Sequence, residues 1–353
     1  MIVFMEYFRL LQCDYNYIEA CIKTDSMLLF CAVIAAVSLI QVIAGHVVVP
    51  VPQLRNIAKT VGEGPHWDDV TRTLMFVDID DYAVIWWSFH TKKVERFRTD
   101  LGPISLIVPR RSGGYVITIG RQLYHLHSDR QTLRQALSEE VEANTTNRFN
   151  DGKCDPQGRL WVGTMDTQMD KETFERLNKE SANLYRLDTN LTLTKMVEKV
   201  TVSNGLAWSK DRKTMYYTDT ETKNVYAFDY DDITGDIGNR RVMVDFQARW
   251  YELSGVPDGM CIDTEGKIWV ATYFGPGVYR FDPESGELLM TVEIPALRTT
   301  SCTFGGPNMD IMYVTSAVKG AFPGELEVYP HSGSVFQVTG LRVKGEKANI
   351  FEG

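Results

Sequence analysis

The six cysteines include no C-x-x-C pair, which excludes a zinc ribbon and a thioredoxin-like redox motif. The six histidines are scattered and offer no His-rich metal cluster. No basic run occurs, and 37 Lys and Arg against 46 Asp and Glu leave a net charge of −9. That balance argues against a nucleic-acid-binding surface. A G-x-S-x-G nucleophile elbow is missing, which disfavours an α/β-hydrolase. So is G-x-x-x-x-G-K-[ST], which excludes a P-loop nucleotide site. The acidic loop of EF-hands is absent too, so any calcium site has another architecture. GEGPHW (from Gly62) and GPGVYR (from Gly275) contain G-x-G without a third glycine and read as turns. Long amphipathic helix patterns are lacking from Val47 onward, which points to an all-β chain.

What remains is a globular composition: 353 residues, 44% hydrophobic and 24% charged. One apolar run stands apart. Residues 1–26 carry four acids (Glu6, Asp14, Glu19, Asp25) and two bases (Arg9, Lys23), and Met27–Gly45 carries no charge. The run is long enough to cross a bilayer, and Val42-Ile43-Ala44 resembles a small-residue cleavage site. Residues 1–45 are therefore read as an extension with a signal peptide or signal anchor at 27–45, despite an acidic leader where a signal is normally basic. The expected location is secreted or within the secretory pathway, with membrane contact only through this segment if uncleaved; a cytoplasmic location is the alternative. Sequons at Asn144 and Asn190 fit a secretory product. Cleavage would leave Cys154, Cys261 and Cys302, an odd set read as small buried hydrophobes.

The rest of the chain, 46–353, is a repeat. A polar residue and a small one precede a short apolar stretch, a turn rich in Asp, Gly or Lys, and a β-branched or aromatic strand. The unit is clearest at Ser203–Asp219 and Pro257–Tyr273, recurs at Gly62–Asp78 and Asn150–Thr164, and is weaker at Ile104–Gly120 and Thr300–Ser316. Taking Gly64, Leu106, Gly152, Gly205, Gly259 and Ser301 as equivalent, the steps are about 42 to 54 residues, the size of a four-stranded propeller blade. Strands are expected at Thr73–Val77, Tyr115–Ile119, Leu160–Val162, Met215–Thr218, Ile268–Ala271 and Met312–Thr315, with partners such as Asn224–Tyr230 and Val278–Asp282. Thr173–Lys179 reads as a short helix or a loop. The expected fold is a six-bladed β-propeller, closed by Val47–Val51 pairing with the last blade.

In a propeller, equivalent positions converge on one axis. The residues preceding the six anchors are Glu63, Ser105, Asp151, Asn204, Asp258 and Thr300. All bear oxygen. Asp-Gly and Asn-Gly are ordinary turn dipeptides, but a ring of carboxylates and an amide also suits a hard divalent cation. Without a cation such a ring repels itself and raises its own pKa values.

These residues lie in motifs that resemble the regucalcin/gluconolactonase family, also called senescence marker protein, which includes luciferin-regenerating enzyme. The motifs are GEGPHW at Gly62, NRFNDGKCDPQGRLWVGTM at Asn147, SNGLAW at Ser203, AFDYDDITGDIGNRR at Ala227, GVPDGMCIDTEGKIWVA at Gly255 and TTSCTFGG at Thr299. The animal regucalcin branch is the most similar. The resemblance implies a six-bladed propeller with one divalent cation (calcium, zinc, manganese or magnesium) in its channel. It makes Glu63, Asn204 and Asp258 the metal ligands and Asp258 the catalytic acid/base. Arg148 and Asn150 match the substrate-contacting pair, and Asp151 is a possible further polar or metal-site residue. Gln168 stands at a substrate-contacting position where regucalcins have Glu; the stretch is about three residues longer here, so Glu172 is an alternative counterpart. Typical regucalcins are cytosolic and lack the apolar N-terminal run.

The expected activity is hydrolysis of sugar lactones such as D-glucono-δ-lactone. A cation polarises the carbonyl and Asp258 moves the proton. Arg148 offers a fixed fork of donors, and Asn150 both donates and accepts. Cys154 has no neighbouring histidine in sequence and is read as packing. The alternatives are a non-catalytic calcium-binding regulatory protein and a hydrolase of a different substrate.

Overall fold

The computed structural model describes residues 45–170, 176–275 and 277–353. The apolar run at 27–44, Glu172 and the first part, 173–175, of the expected 173–179 element lie outside them. Six four-stranded sheets hold the strands, and beside them the described residues have only short helical pieces, among them the four-residue α-helix Glu325–Val328. From inner to outer strand, blade 1 is Gly62–Asp68, Thr73–Asp78, Ala83–Ser88 and Val94–Arg98. Blade 2 is Ile107–Pro109, Tyr115–Ile119, Gln122–Leu126 and Leu133–Ala136, and blade 3 is Asn147–Cys154, Leu160–Asp166, Ala182–Leu187 and Leu193–Val200. Blade 4 is Ser203–Trp208, Thr214–Asp219, Asn224–Tyr230 and Ile237–Asp245, and blade 5 is Val256–Ile262, Ile268–Tyr273, Gly277–Phe281 and Leu288–Glu293. Blade 6 takes Thr299–Gly305, Ile311–Ser316 and Phe336–Thr339 from the C-terminal part of the chain. Its outer strand, Val47–Pro50, comes from the other end. That closure is the one the sequence pattern predicts. All six expected second strands form, and Leu160–Asp166 is longer than expected.

Each of the six second strands is buried on both faces. Thr73–Asp78 and Leu160–Asp166 have no exposed residue. The cores are the seams between blades: Met75, Val84 and Trp86 meet Ile104, Ile107 and Ile117 across the first seam. Trp161 and Leu184 meet Leu206, Met215 and Tyr217 across the third. Among the described residues no helix is long and apolar enough to cross a membrane. Arg176 forms an isolated bridge with Met169, and no helix is described between them and Lys179.

The D-x-x-G-[RK]-x-W element of blades 3 and 5 has a definite physical job. Asp155 Oδ1 accepts the backbone N–H groups of Gln157 and Arg159, both at 3.0 Å. Its Oδ2 accepts from Arg159 Nε at 2.6 Å, Trp161 Nε1 at 3.0 Å and the Tyr230 hydroxyl at 2.9 Å. Asp263 repeats this with Glu265, Lys267, Trp269 and Arg280, each bond at 2.9 Å. One fully buried carboxylate thereby shapes the turn and holds a buried indole and guanidinium. Gly158 supplies the left-handed residue (φ 77°) that closes the turn.

Replacing Asp155 with Ala leaves the Arg159 charge and the Trp161 N–H buried without their acceptor. The expected cost is about 3–5 kcal/mol, read as a lower urea midpoint at unchanged m-value. A midpoint within error of the parent would contradict this role.

A candidate active site at one end of the channel

Five of the six inner strands carry a register shift at the polar ring position. The shifts fall between Glu63 and His66, Phe149 and Gly152, Ser203 and Leu206, Pro257 and Met260, and Thr299 and Cys302. A bulge takes a residue out of the ladder and re-aims its side chain. The Asp-Gly and Asn-Gly pairs therefore do not turn the chain; they sit at bulges in strands. Their glycines answer to crowding. A Cβ on Gly205 would lie 2.6 Å from Met260 N and 2.7 Å from Asp258 O. At Gly259 it would meet the Ser301 side chain and lie 2.9 Å from that residue's Cα.

The structure brings Glu63, Asn150, Asp151, Asn204 and Asp258 together, all buried. Glu63 and Asp258, from blades 1 and 5, share a side-chain hydrogen bond, and the Asp151 charge bears on both. Three acids from alternate blades thus face one another across the axis. Asn204 is oriented by its surroundings. The Thr220 hydroxyl donates to the Pro257 carbonyl at 2.8 Å and so is left to accept from Asn204 Nδ2 at 2.9 Å. That turns Asn204 Oδ1 toward Asn150, whose Nδ2 lies 3.3 Å away. Asn150 Nδ2 also donates to Ser203 O at 2.8 Å, and its Oδ1 accepts from Arg148 Nη1 at 2.8 Å. Asn150 is thus a strut between Arg148 and Asn204, with one carbonyl lone pair to spare.

The ring is not uniform. The Ser105 hydroxyl lies 2.9 Å from that of Thr118. Thr300 Oγ1 donates to Gly62 O at 2.6 Å, with Thr315 Oγ1 at 2.8 Å. The Ser105 hydroxyl is thus taken up by a side chain and the Thr300 hydroxyl by backbone and a side chain, whereas the acids and amide face the axis. Gln168 is exposed in the loop after the second strand of blade 3, its amide oxygen 3.5 Å from Asn178 Nδ2. No described hydrogen bond links it to the ring.

Crowding sets the electrostatics. Burial, then the Asp151 charge, pushes the Glu63 carboxyl up to about 8. Burial and then Glu63 and Asp151 drive Asp258 well above the carboxylate range, and burial raises Asp151. The partly buried Arg148 guanidinium is pushed down to about 10 by desolvation, with Asp80 and Glu63 opposing. Among the described residues no group of three His, Cys, Asp or Glu side chains is formed to hold a metal. The convergent donors are mixed: the hydrogen-bonded carboxylates of Glu63 and Asp258 and the inward amide oxygen of Asn204. All are oxygen, and ionisation of the two carboxyls is opposed by burial and mutual repulsion. Such a set fits a hard divalent cation, which would reverse both penalties.

Three groups near the ring carried no legible signal. Tyr273 ends the second strand of blade 5, and its phenol is raised by burial and the Asp258 charge, against Arg298. Arg176 follows the loop of Gln168 and interacts with Arg148, Tyr273 and Asp80. Lys153 donates to the Met260 carbonyl, and its charge reaches both Asp151 and His66. It stands between the acids and the opposite mouth, a cavity of about 230 Å³ lined by His66, Cys154, Cys261 and Phe304 among others. A larger concavity of about 780 Å³ lies between outer parts of blades 4 and 5, around Lys210, Arg241 and Glu284, away from the ring acids.

Residues 61–318 match the family model for the SMP-30/gluconolactonase/LRE-like region. Regucalcin of Xenopus laevis is 42% identical over 293 residues, spanning 83% of this chain and 95% of that one. The structure of luciferin-regenerating enzyme superposes with a TM-score of 0.80 at 36% identity, covering 88% of this chain and all of that one. A calcium-binding protein, regucalcin, from Agrobacterium tumefaciens shares the fold with a TM-score of 0.75 at 24% identity, over 85% and 97% of the two chains.

His66, on the inner strand of blade 1, generates a pH prediction. Burial, with Lys153 adding and Asp68 opposing, pushes its imidazole down to about 4 from 6.5. The unfolded chain therefore binds a proton there at higher pH than the folded one. Its stability is fully present above pH 6.5 and falls as pH drops toward 4, by about 3 kcal/mol. Denaturant titrations of the parent and His66→Gln at pH 7.5 and 5 check this: the variant should lose less stability on acidification. Equal losses would contradict it.

Proposed function

The chain belongs to the SMP-30/gluconolactonase/LRE-like family, and on that footing we propose that it is a divalent-cation-dependent hydrolase of sugar lactones such as D-glucono-δ-lactone. The observation that carries the reading is the Glu63–Asp258 pair, which closes across the axis beside an Asn204 oxygen turned inward by Thr220. Glu63, Asn204 and Asp258 are the proposed cation ligands. When bound, the cation supplies Lewis-acid polarisation of the lactone carbonyl.

The remaining chemistry belongs to the chain. Asp258 accepts a proton from the attacking water at a carboxylate oxygen and returns it to the ring oxygen that leaves as an alkoxide. That role needs an ionised carboxylate, and positive charge at the site favours this form. Arg148, held by Asn150 and the Phe149 carbonyl at 2.7 Å, presents its fork to the substrate oxygens. Tyr273 and Arg176 add a hydroxyl and a second cation near that position. The exposed Gln168 is the weaker member of the proposed substrate set, and selectivity among lactones rests on its loop.

A calcium-binding role without turnover is the second reading, favoured by an exposed Gln168 that makes no described hydrogen bond to the ring. Asp258→Ala separates the two. As a lactonase, the protein should regain turnover when stripped of metal and given calcium, magnesium, manganese or zinc, and the variant should lose it while keeping its fold. Undiminished turnover in the variant would overturn the catalytic assignment. Tight, calcium-selective binding by a folded protein without lactonase activity would favour the second reading.

The Thr220 lock makes a separate prediction. Thr220→Val frees the Asn204 amide to rotate. Cation affinity by calorimetry should fall about 10- to 100-fold with the circular-dichroism spectrum unchanged. An unaltered affinity would show that Asn204 needs no such lock.

A further inference from the structure

At the opposite end of the same inner strands, two thiols face each other. Cys261 lies three residues beyond Asp258 on blade 5, and Cys302 lies two beyond Thr300 on blade 6. Their sulfurs are 3.5 Å apart. Both are free and buried, as is Cys154, which packs in the seam between blades 2 and 3 and lines the same lower cavity as Cys261. A disulfide needs an S–S separation of about 2.05 Å, so the sulfurs must close by about 1.5 Å. The backbones do not stand in the way. The strands already approach so closely at Gly259 that a Cβ there would lie 2.9 Å from Ser301 Cα. No ladder of backbone hydrogen bonds ties these two inner strands together, because each pairs outward within its own blade.

We propose that Cys261 and Cys302 form a redox pair that closes into an intramolecular disulfide on meeting a low-molecular-weight disulfide oxidant, leaving Cys154 a thiol. The two sulfurs differ in reach. Cys261 lines the lower cavity and is 7% exposed, whereas Cys302 is 1% exposed and donates toward the Trp269 carbonyl at 3.6 Å. The Cys261 thiolate attacks one sulfur of the oxidant. The oxidant's S–S bond breaks, one small thiol leaves, and a mixed disulfide remains on Cys261. Cys302 then gives its proton to water and attacks Cys261 Sγ, expelling the second small thiol. The protein loses two electrons and two hydrogens, and the oxidant gains both. The product ties the strand that carries Asp258 to its neighbour across an inter-blade seam. It would persist in an oxidising compartment and be reduced in the cytosol, so the state of this pair reports where the protein resides.

The test uses the full chain, folded, with oxidised glutathione, followed by alkylation and tryptic mapping without reductant. Residues 250–267 and 299–319 should appear as one cross-linked species, and 154–159 should appear alkylated. In Cys302→Ser, Cys261 should stop at the glutathione adduct. The proposal is overturned if the two peptides return separately alkylated, if Cys261 halts at the adduct in the parent protein, or if either cysteine pairs with any of the other four cysteines of the chain. Thiols of the chain in denaturant, treated in parallel, confirm that the oxidant is active.

Discussion

Close approach of the inner strands at one axis is the constraint on which the rest of the molecule depends. At Gly205 and Gly259 there is no room for a side chain, because the neighbouring strand's backbone at the first and Ser301 at the second lie where Cβ would be. Bulges at the same places move polar residues out of the ladders and toward the axis. The closing strand Val47–Pro50 supplies the outer strand of blade 6 and so ties the start of the propeller to its last blade.

That crowding produces the chemistry. Three carboxylates held together and desolvated cannot all ionise, and their affinities for protons rise accordingly. The surroundings answer with cations of unequal effect. Lys153 favours the charged form of Asp151 from below, and Arg148 favours that of Glu63. A site so arranged holds unused electrostatic attraction for a divalent cation. Asn204 contributes differently: its neutral oxygen is directed by Thr220, a residue the ring pattern does not include.

Other buried carboxylates carry architecture. Asp155 and Asp263 each organise a turn, an indole and a guanidinium, and Asp78 caps incoming backbone from Lys59 and Val61. They are as buried as the ring acids, and the difference lies in their partners. N–H groups and arginines surround Asp155 and Asp263, whereas acids and an amide oxygen surround Asp258. Burial alone does not separate these architectural carboxylates from those of the ring.

The period of the repeat, the six second strands, the closing strand and the convergence of Glu63, Asp151, Asn204 and Asp258 were all legible in the sequence. Each repeats a local pattern, and a propeller converts equal sequence phase into equal distance from an axis. Ser105 and Thr300 share that phase, yet their hydroxyls bind neighbouring backbone and side chains, which no pattern of residue types reveals. The Asp-Gly and Asn-Gly pairs are ordinary turn dipeptides in sequence, yet they sit at bulges, and what crowds Gly205 and Gly259 is the inner strand of the next blade. Lys153, Tyr273, Arg176, the Thr220 lock and the Cys261–Cys302 contact follow from which blades become neighbours and how near they come. Sequence periodicity determined the architecture and the list of polar candidates. Tertiary packing alone decided which of them face one another, because desolvation and Coulomb interaction depend on distance across the channel and not on separation along the chain.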